Sequence, residues 1–158
     1  MKIYNPKLLV ISIGISQLAG IVGSIFTTSE IAGWYVFLNK PSFNPPNWLF
    51  GPVWIILYTL MGISLYLVWS KGYKESNIKR AVNIFLVHLV VNSIWSIAFF
   101  GLHYLGIAFM VIINLWLMIL YLIRLFYGIN KNAAYLLIPY LIWVSFASLL
   151  NFSIWQLN

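Results

Sequence analysis

Long stretches without a charged side chain are the feature that most limits how this chain can fold. Four such stretches lie between the charged residues, at 8–29, 41–70, 81–123 and 132–158. A transmembrane helix needs about 20 consecutive apolar residues. The stretch at 81–123 can therefore hold two helices, with a natural break between Gly101 and Gly106, and each of the others can hold one. The sequence predicts five transmembrane helices.

Composition points to lipid as the solvent of this chain. Hydrophobic residues make up 63% of the sequence and charged residues only 7%, whereas soluble domains carry about 25% charged residues. So apolar a surface is stable only in a bilayer. We predict an all-α integral membrane protein, a five-transmembrane-helix bundle in which residues 1–158 form one domain. The expected helices lie at about 8–27, 46–69, 79–100, 105–126 and 132–155.

The distribution of lysine and arginine predicts the orientation. With five spans, the N-terminus and the loops at 70–78 and 127–131 share one side of the membrane. Lys40 is the only cation predicted on the other side. Cations accumulate on the inner side, so we expect the N-terminus inside and the C-terminus outside. In a soluble protein a net charge of +7 would suggest nucleic acid, but here the cations lie at the ends of apolar stretches and orient the helices, so no nucleic-acid partner is expected. The predicted inner-side cations are Lys2, Lys7, Lys71, Lys74, Lys79, Arg80, Arg124 and Lys131.

The titratable residues limit the chemistry. The chain has no cysteine, and its two carboxylates, Glu30 and Glu75, lie outside the predicted spans. Acid–base dyads, di-iron sites and intramembrane proton relays are therefore not expected. His88 lies near mid-membrane, where a hydrogen-bonded core residue is favoured over a haem or metal ligand, and His103 is expected to be solvated in the third loop. No cofactor and no metal site are predicted.

The first loop, at about 28–45, is the longest and carries several aromatic residues and prolines. Such a loop is not expected to extend into water. We predict a short helix within 30–38 and a lid that folds over the bundle. Lys40, in this loop, is expected to anchor to lipid headgroups; a contact with the acidic groups of a ligand is the alternative.

Tryptophans inside the spans indicate a pocket. Trp and Tyr at helix ends are typical of the interfacial belt, but Trp54, Trp95, Trp116 and Trp143 fall within helices. At about 1.5 Å per residue, Trp54, Trp95 and the segment around Ala147 and Leu150 lie at a similar depth below the first loop. A common pocket there is the simplest explanation.

Side-chain spacing turns these residues to one side of each helix. His88, Asn92, Trp95 and Phe99 recur at helical spacing. The last helix repeats the pattern with Trp143, Ala147, Leu150, Asn151 and Ile154. Polar groups within a span usually face the interior, so Asn92 and Asn151 turn both stripes inward. A hydrogen bond between helices is the other role for each asparagine, and the two roles are compatible.

Helix 1 carries small residues at four-residue spacing, Ser16, Gly20 and Ser24. Small residues at this spacing allow close helix approach. The pattern predicts either the seam of a homodimer or close packing within one bundle.

The aromatic and proline motifs resemble those of the TspO/MBR family of tryptophan-rich sensory and translocator proteins. They cover nearly the whole chain in the family's order and spacing. Phe152 and Gln156 depart from the proposed sterol motif of animal members. The matching motifs are W-Y-x-x-L-x-K-P at 34–41, F-N-P-P at 43–46, F-G-P-x-W at 50–54, N-x-x-W-S at 92–96, F-F-G at 99–101 and P-Y-x-x-W-x-x-F-A-x-x-L-N at 139–151.

The resemblance implies a five-helix membrane protein, often homodimeric, that binds porphyrins and other flat hydrophobic ligands under the first loop. It implies a bacterial cell membrane as the location. The residues predicted to bind the ligand, from the motifs and the stripes together, are Trp34, Trp54, Asn92, Trp95, Phe99, Trp143, Phe146, Ala147 and Leu150.

Three functions remain open. The favoured one is a binding and sensory protein for tetrapyrroles such as protoporphyrin IX. The alternative is an enzyme that degrades porphyrin in the light, for which the resemblance implicates Trp34, Trp54 and Trp143. Transport of porphyrin or sterol ranks lowest, because the sequence shows no inverted repeat of the kind found in secondary transporters.

Overall fold

The protein is a bundle of long helices, described for residues 5–158 by a computed structural model. Lys2, one of the predicted inner-side cations, lies outside the described residues. The elements are α1 (Pro6–Ala32), α2 (Trp34–Phe37), α3 (Asn47–Trp69), α4 (Ser76–Ser96) continued by a π-helical segment (Ile97–Gly101), α5 (Leu105–Ile129), α6 (Lys131–Leu136) and α7 (Ile138–Leu157).

Within the described residues, five helical spans are long and apolar enough to cross a membrane. The fifth span combines α6 and α7, and the third combines α4 and the π-helical segment. The prediction of an all-α, five-helix membrane protein is confirmed. The spans are Pro6–Ala32, Asn47–Trp69, Ser76–Gly101, Leu105–Ile129 and Lys131–Leu157.

Helix boundaries differ from the predicted ones, most of all in α1. The predicted end at residue 27 is wrong, because the helix runs on to Ala32 and includes Glu30. Thr27 and Thr28 do not end it, since their hydroxyl groups donate to the carbonyls four residues earlier. Smaller differences occur at residue 76, where α4 begins, and at Ile129, where α5 ends.

The predicted fifth helix is interrupted in the structure. A single helix was expected at 132–155, but α6 ends at Leu136 and α7 begins at Ile138, one residue before Pro139. Proline has no backbone N–H, so Pro139 cannot donate to the carbonyl of Tyr135 as a continuous helix requires, but it is well accommodated in the first turn of a new helix. Pro139 therefore separates a short helix from the long one.

Close packing of α1 on α3 depends on small residues. A Cβ atom added to Gly62 would lie 2.5 Å from Ile13 Cα, and one added to Gly20 would lie 2.6 Å from the Tyr58 ring. Ser16 is fully buried, whereas Ser24 is exposed. Ser16 and Gly20 thus take the packing role within one bundle. A homodimer through helix 1 stays a prediction.

Two buried apolar clusters stabilise the bundle. The larger one joins α3, α4, α5, α6 and α7. The smaller one lies beneath the lid, which we define as residues 33–46, and includes Tyr35, Phe99 and Leu150. Buried side chains of α2, the π-helical segment, α5 and α7 thus meet below the lid, and Phe50 of α3 packs against them.

Candidate functional site

A cavity of about 350 Å³ opens between four of the five spans beneath the lid. Its walls come from α1, α3, α4 with the π-helical segment, and α7, and Tyr35 contributes from the lid. Among the described residues, α5 contributes none of the lining. This volume lies at the lower end of the roughly 300–1,000 Å³ typical of small-molecule sites.

Six of the nine predicted ligand-binding residues line this cavity, and three do not. The three that lie outside the wall are Trp34, Asn92 and Phe146. Phe146 is part-buried and packs against Phe43 of the lid and against Trp143. The six in the wall are Trp54, Trp95, Phe99, Trp143, Ala147 and Leu150.

Trp34 closes the lid against the third loop. Its ring stacks on the His103 ring at 4.0 Å between centroids and meets Phe99 edge-on at 5.8 Å. His103 Nε2 lies 3.1 Å from Glu30 Oε2. The expectation of a solvated His103 is therefore only partly right: the side chain is 40% exposed, but it has two defined partners.

Asn92 connects the helices below the cavity. Tyr58 donates its hydroxyl to Asn92 Oδ1 at 2.7 Å, and Asn92 Nδ2 donates to the Tyr140 oxygen at 2.7 Å. Tyr140 lies 3.2 Å from His88 Nε2, and His88 Nδ1 lies 2.8 Å from the Phe85 carbonyl. Asn92 thus forms hydrogen bonds between helices, which is one of the two roles that the sequence predicted for it. His88 has a partner at each ring nitrogen.

Asn151 fixes the orientation of the indole of Trp95. The indole N–H of Trp95 donates to Asn151 Oδ1 at 3.1 Å, and Asn151 Nδ2 donates to the Leu105 carbonyl at 3.0 Å. Asn151 thus links three spans at the level of the cavity. Because a hydrogen-bonded indole cannot turn freely, Trp95 presents a fixed aromatic surface to the cavity.

Aromatic rings form a continuous wall. Trp54 stacks on Tyr58 at 5.4 Å between ring centroids and lies 6.4 Å from Trp95, which lies 5.6 Å from Phe99. Within residues 5–158, those that line the cavity include no charged side chain. Such a wall favours flat apolar ligands, which gain from stacking and from the removal of water.

The lid is held by its own hydrogen bonds. The predicted short helix is present as α2, and its Tyr35 is buried and donates its hydroxyl to Asn44 Oδ1 at 2.6 Å. Burial raises the pKa of Tyr35 to about 12. Asn39 and Asn158 exchange hydrogen bonds of 3.0 Å, which join the lid to the end of α7.

Lys40 stabilises the lid from within. Its ammonium group donates to the carbonyls of Tyr35, Val36 and Leu38 at 2.7, 3.0 and 2.9 Å, and it lies over the Tyr35 ring. These three acceptors match the three donors of an ammonium group. Neither expected role, headgroup anchor or contact to an acidic ligand, describes this geometry.

Replacing Lys40 by methionine is expected to loosen the lid, because three charge-assisted hydrogen bonds disappear while the aliphatic stem is kept. The free energy of local opening should fall by about 1–3 kcal/mol, measured as faster amide exchange across residues 33–46. Lys74→Met is the matched control, since Lys74 is exposed in the loop before α4. Equal exchange of the lid in both variants would contradict this role of Lys40.

Sequence reasoning missed the contribution of α1 to the cavity. Gln17, Gly20, Gly23 and Thr27 all line it, although the sequence indicated only a helix seam on this face. Gln17 could have indicated that this face of α1 points inward, because a polar side chain within a span tends to face the interior. Its amide donates to the Ile55 carbonyl at 3.0 Å.

The residues that the structure describes hold no cluster of metal ligands. Within residues 5–158 there is no group of three or more histidine, aspartate or glutamate side chains that could hold a metal ion. The described residues that line the cavity supply indoles, phenyl rings, aliphatic side chains, hydroxyl groups and amides.

Residues 12–156 match the model of the TspO/MBR family. A tryptophan-rich protein TspO of Chlorobaculum tepidum is 43% identical over 150 residues, covering 95% of each chain. A protein of the same name from Archaeoglobus fulgidus is 44% identical over 140 residues, covering 88% of this chain and 89% of that one. The human translocator protein is 36% identical over 139 residues, covering 87% of this chain and 82% of that one.

Proposed function

Because the chain belongs to the TspO/MBR family, we propose that this membrane protein binds tetrapyrroles of the protoporphyrin IX type, and other flat hydrophobic molecules, in the cavity beneath its lid. One observation carries the proposal: Trp54, Trp95 and Trp143, from three different spans, line the same uncharged cavity. Indole faces stack on flat aromatic rings, and apolar walls favour their transfer from water.

The orientation belongs to the same proposal. Lys71 and Lys74, in the loop before α4, and Lys131, at the start of α6, lie at the end of the bundle opposite the lid. The cation rule then puts that end in the cytoplasm of a bacterial cell and the cavity near the outer surface. Relatives from a bacterium and an archaeon with 43% and 44% identity support a prokaryotic membrane.

Filling the cavity is expected to weaken binding. Ala147 lies in the wall, so the phenyl ring of Ala147→Phe would occupy ligand space, and the affinity for protoporphyrin IX should fall at least roughly tenfold. Quenching of tryptophan fluorescence in a titration in the dark measures this. Leu149→Phe is the control, because Leu149 is on the same helix and 64% exposed.

Trp143→Ala should also weaken binding, since it removes an indole from the wall. Its control is Trp155→Ala, which removes a tryptophan that does not line the cavity. Unchanged affinity in both Ala147→Phe and Trp143→Ala would contradict the cavity as the binding site.

A light-dependent enzyme is the second candidate, favoured by the oxidisable indoles in the cavity wall. Illuminating the complex and following the Soret band separates the two functions. A defined product that disappears in Trp54→Phe indicates catalysis. Bleaching at the rate of free porphyrin indicates binding alone.

A further inference from the structure

Ser96 carries the one cavity-lining hydroxyl group in residues 5–158 that has no hydrogen-bond partner. It lies at the end of α4 and is only 8% exposed. The other hydroxyl groups of the wall all donate within the protein, and they belong to Ser24, Thr27, Thr28, Tyr35 and Tyr58.

Other buried serines in the spans bond within their own helix. Ser16 and Ser148 each donate to the carbonyl four residues earlier, at 3.1 and 2.7 Å. This is the usual solution for a hydroxyl group in apolar surroundings. Within residues 5–158, Ser12 and Ser96 are the buried serines that do not use it or any other partner, and of these two only Ser96 lines the cavity, where its hydroxyl group is free to donate.

Two features mark the surroundings of Ser96. The π-helical segment starts at the next residue, and such segments are frequent at functional sites. Gly23 of α1 packs closely against Ser96, since a Cβ atom added there would lie 3.0 Å from Ser96 Oγ. A larger residue at position 23 would press on the hydroxyl group and cover part of it.

We propose that Ser96 determines specificity in the cavity by donating its hydroxyl to an oxygen or nitrogen acceptor on the ring system of the bound ligand. The proposal rests on the binding function proposed above and deepens it. Trp95, Phe99 and Phe100 lie near Ser96 in the chain and line the same cavity, and a hydrogen bond in such apolar surroundings is strong. The cavity then prefers flat ligands with a ring carbonyl or an unprotonated ring nitrogen over hydrocarbons of the same shape.

The indole N–H groups of Trp54 and Trp143 are also without a partner, but both side chains are only partly buried. Either indole could donate to the same acceptor on a ligand, so the experiment must separate Ser96 from the two indoles.

Fluorene and 9-fluorenone provide the test, because they share one flat tricyclic frame and differ by a carbonyl group. Both are titrated into the solubilised wild-type protein, Ser96→Ala and Ser93→Ala, with tryptophan quenching as the readout. Ratios of apparent Kd between variants, measured in the same detergent, cancel the partition of each probe into micelles. Ser93 is the matched control, because its hydroxyl group donates to the carbonyls of Ala19 and Leu89.

We expect Ser96→Ala to raise the apparent Kd of fluorenone roughly fivefold over the wild type, for the loss of one hydrogen bond, and to leave that of fluorene unchanged. Ser93→Ala should change neither value. If the wild type binds protoporphyrin IX but Ser96→Ala leaves the Kd of fluorenone unchanged, this inference alone is overturned and any contact with the carbonyl group is assigned to the indoles. If neither the porphyrin nor the probes bind, the proposed function fails with it.

Discussion

Gly62→Ala is expected to lower the thermal midpoint of unfolding more than any other single-methyl addition to this protein. The added Cβ would lie 2.5 Å from Ile13 Cα and 2.9 Å from Ile13 N. These are backbone atoms of α1, so no side chain can turn away to relieve the contact. The two helices must move apart, and we expect a loss of about 3 kcal/mol or more, as for severe overpacking.

Gly14→Ala is the matched control for this experiment. Gly14 is next to Ile13 on α1, but a Cβ atom there would meet nothing within 4 Å. Alanine lowers the entropy of the unfolded chain, so the control should be neutral or more stable by about 0.5–1 kcal/mol. Intrinsic tryptophan fluorescence during heating of the solubilised protein measures both variants. An equal midpoint in the two would show that the contact of α1 with α3 is not tight.

Asn92→Ala is expected to have the second large effect on stability. The change removes the acceptor of the Tyr58 hydroxyl and the amide donor to Tyr140. All three side chains are 5% exposed or less, so no water replaces these bonds. Two broken hydrogen bonds and an orphaned phenol should cost about 2–5 kcal/mol.

A double-mutant cycle with Tyr58→Phe isolates the hydrogen bond. Once Asn92 is replaced, the Tyr58 hydroxyl has lost its acceptor, so the second substitution should cost much less than it does alone. Asn114→Ala is the control, because Asn114 is exposed on α5 and its amide donates only within its own helix. Additive effects of Asn92→Ala and Tyr58→Phe would contradict the direct bond.

In the N-x-x-W-S motif at 92–96, different residues serve stability and the proposed binding. The sequence predicted Asn92 as a ligand contact. In the structure its side-chain amide is hydrogen-bonded to two tyrosines. Trp95 and Ser96 of the same motif line the cavity. Substitution of Asn92 should therefore alter the protein mainly through its fold, and Ser96 should act mainly through the ligand.

The sequence predicted the helical content and most of the inward faces. Spacing along α4 and α7 turned Trp95, Phe99, Ala147 and Leu150 towards the interior, and all four line the cavity. Spacing alone could not show that Trp95 lines the cavity and Asn92 does not, because both lie on the same inward stripe of α4. Which one borders the cavity depends on the neighbouring side chains, and Tyr58 and Tyr140 occupy the position next to Asn92.

The role of the lid was harder to predict. Lys40 is an isolated cation in the sequence, and isolated cations at membrane surfaces usually face headgroups or water. Its three carbonyl acceptors exist only because α2 ends at Phe37 and the chain turns back towards it. Such a contact depends on the backbone path of the loop, which charge and periodicity do not determine.

The amino-acid sequence by itself determined that this protein lies in a lipid bilayer, how many spans it has and which face most of the spans turn inward. These follow from local physics, since a span must satisfy its backbone within a helix and keep charges out of lipid. Only the tertiary structure decided which inward residues meet each other and which border a cavity. That choice depends on the distance and rotation between helices, and these are fixed by contacts far apart in the chain, such as that of Gly62 with Ile13.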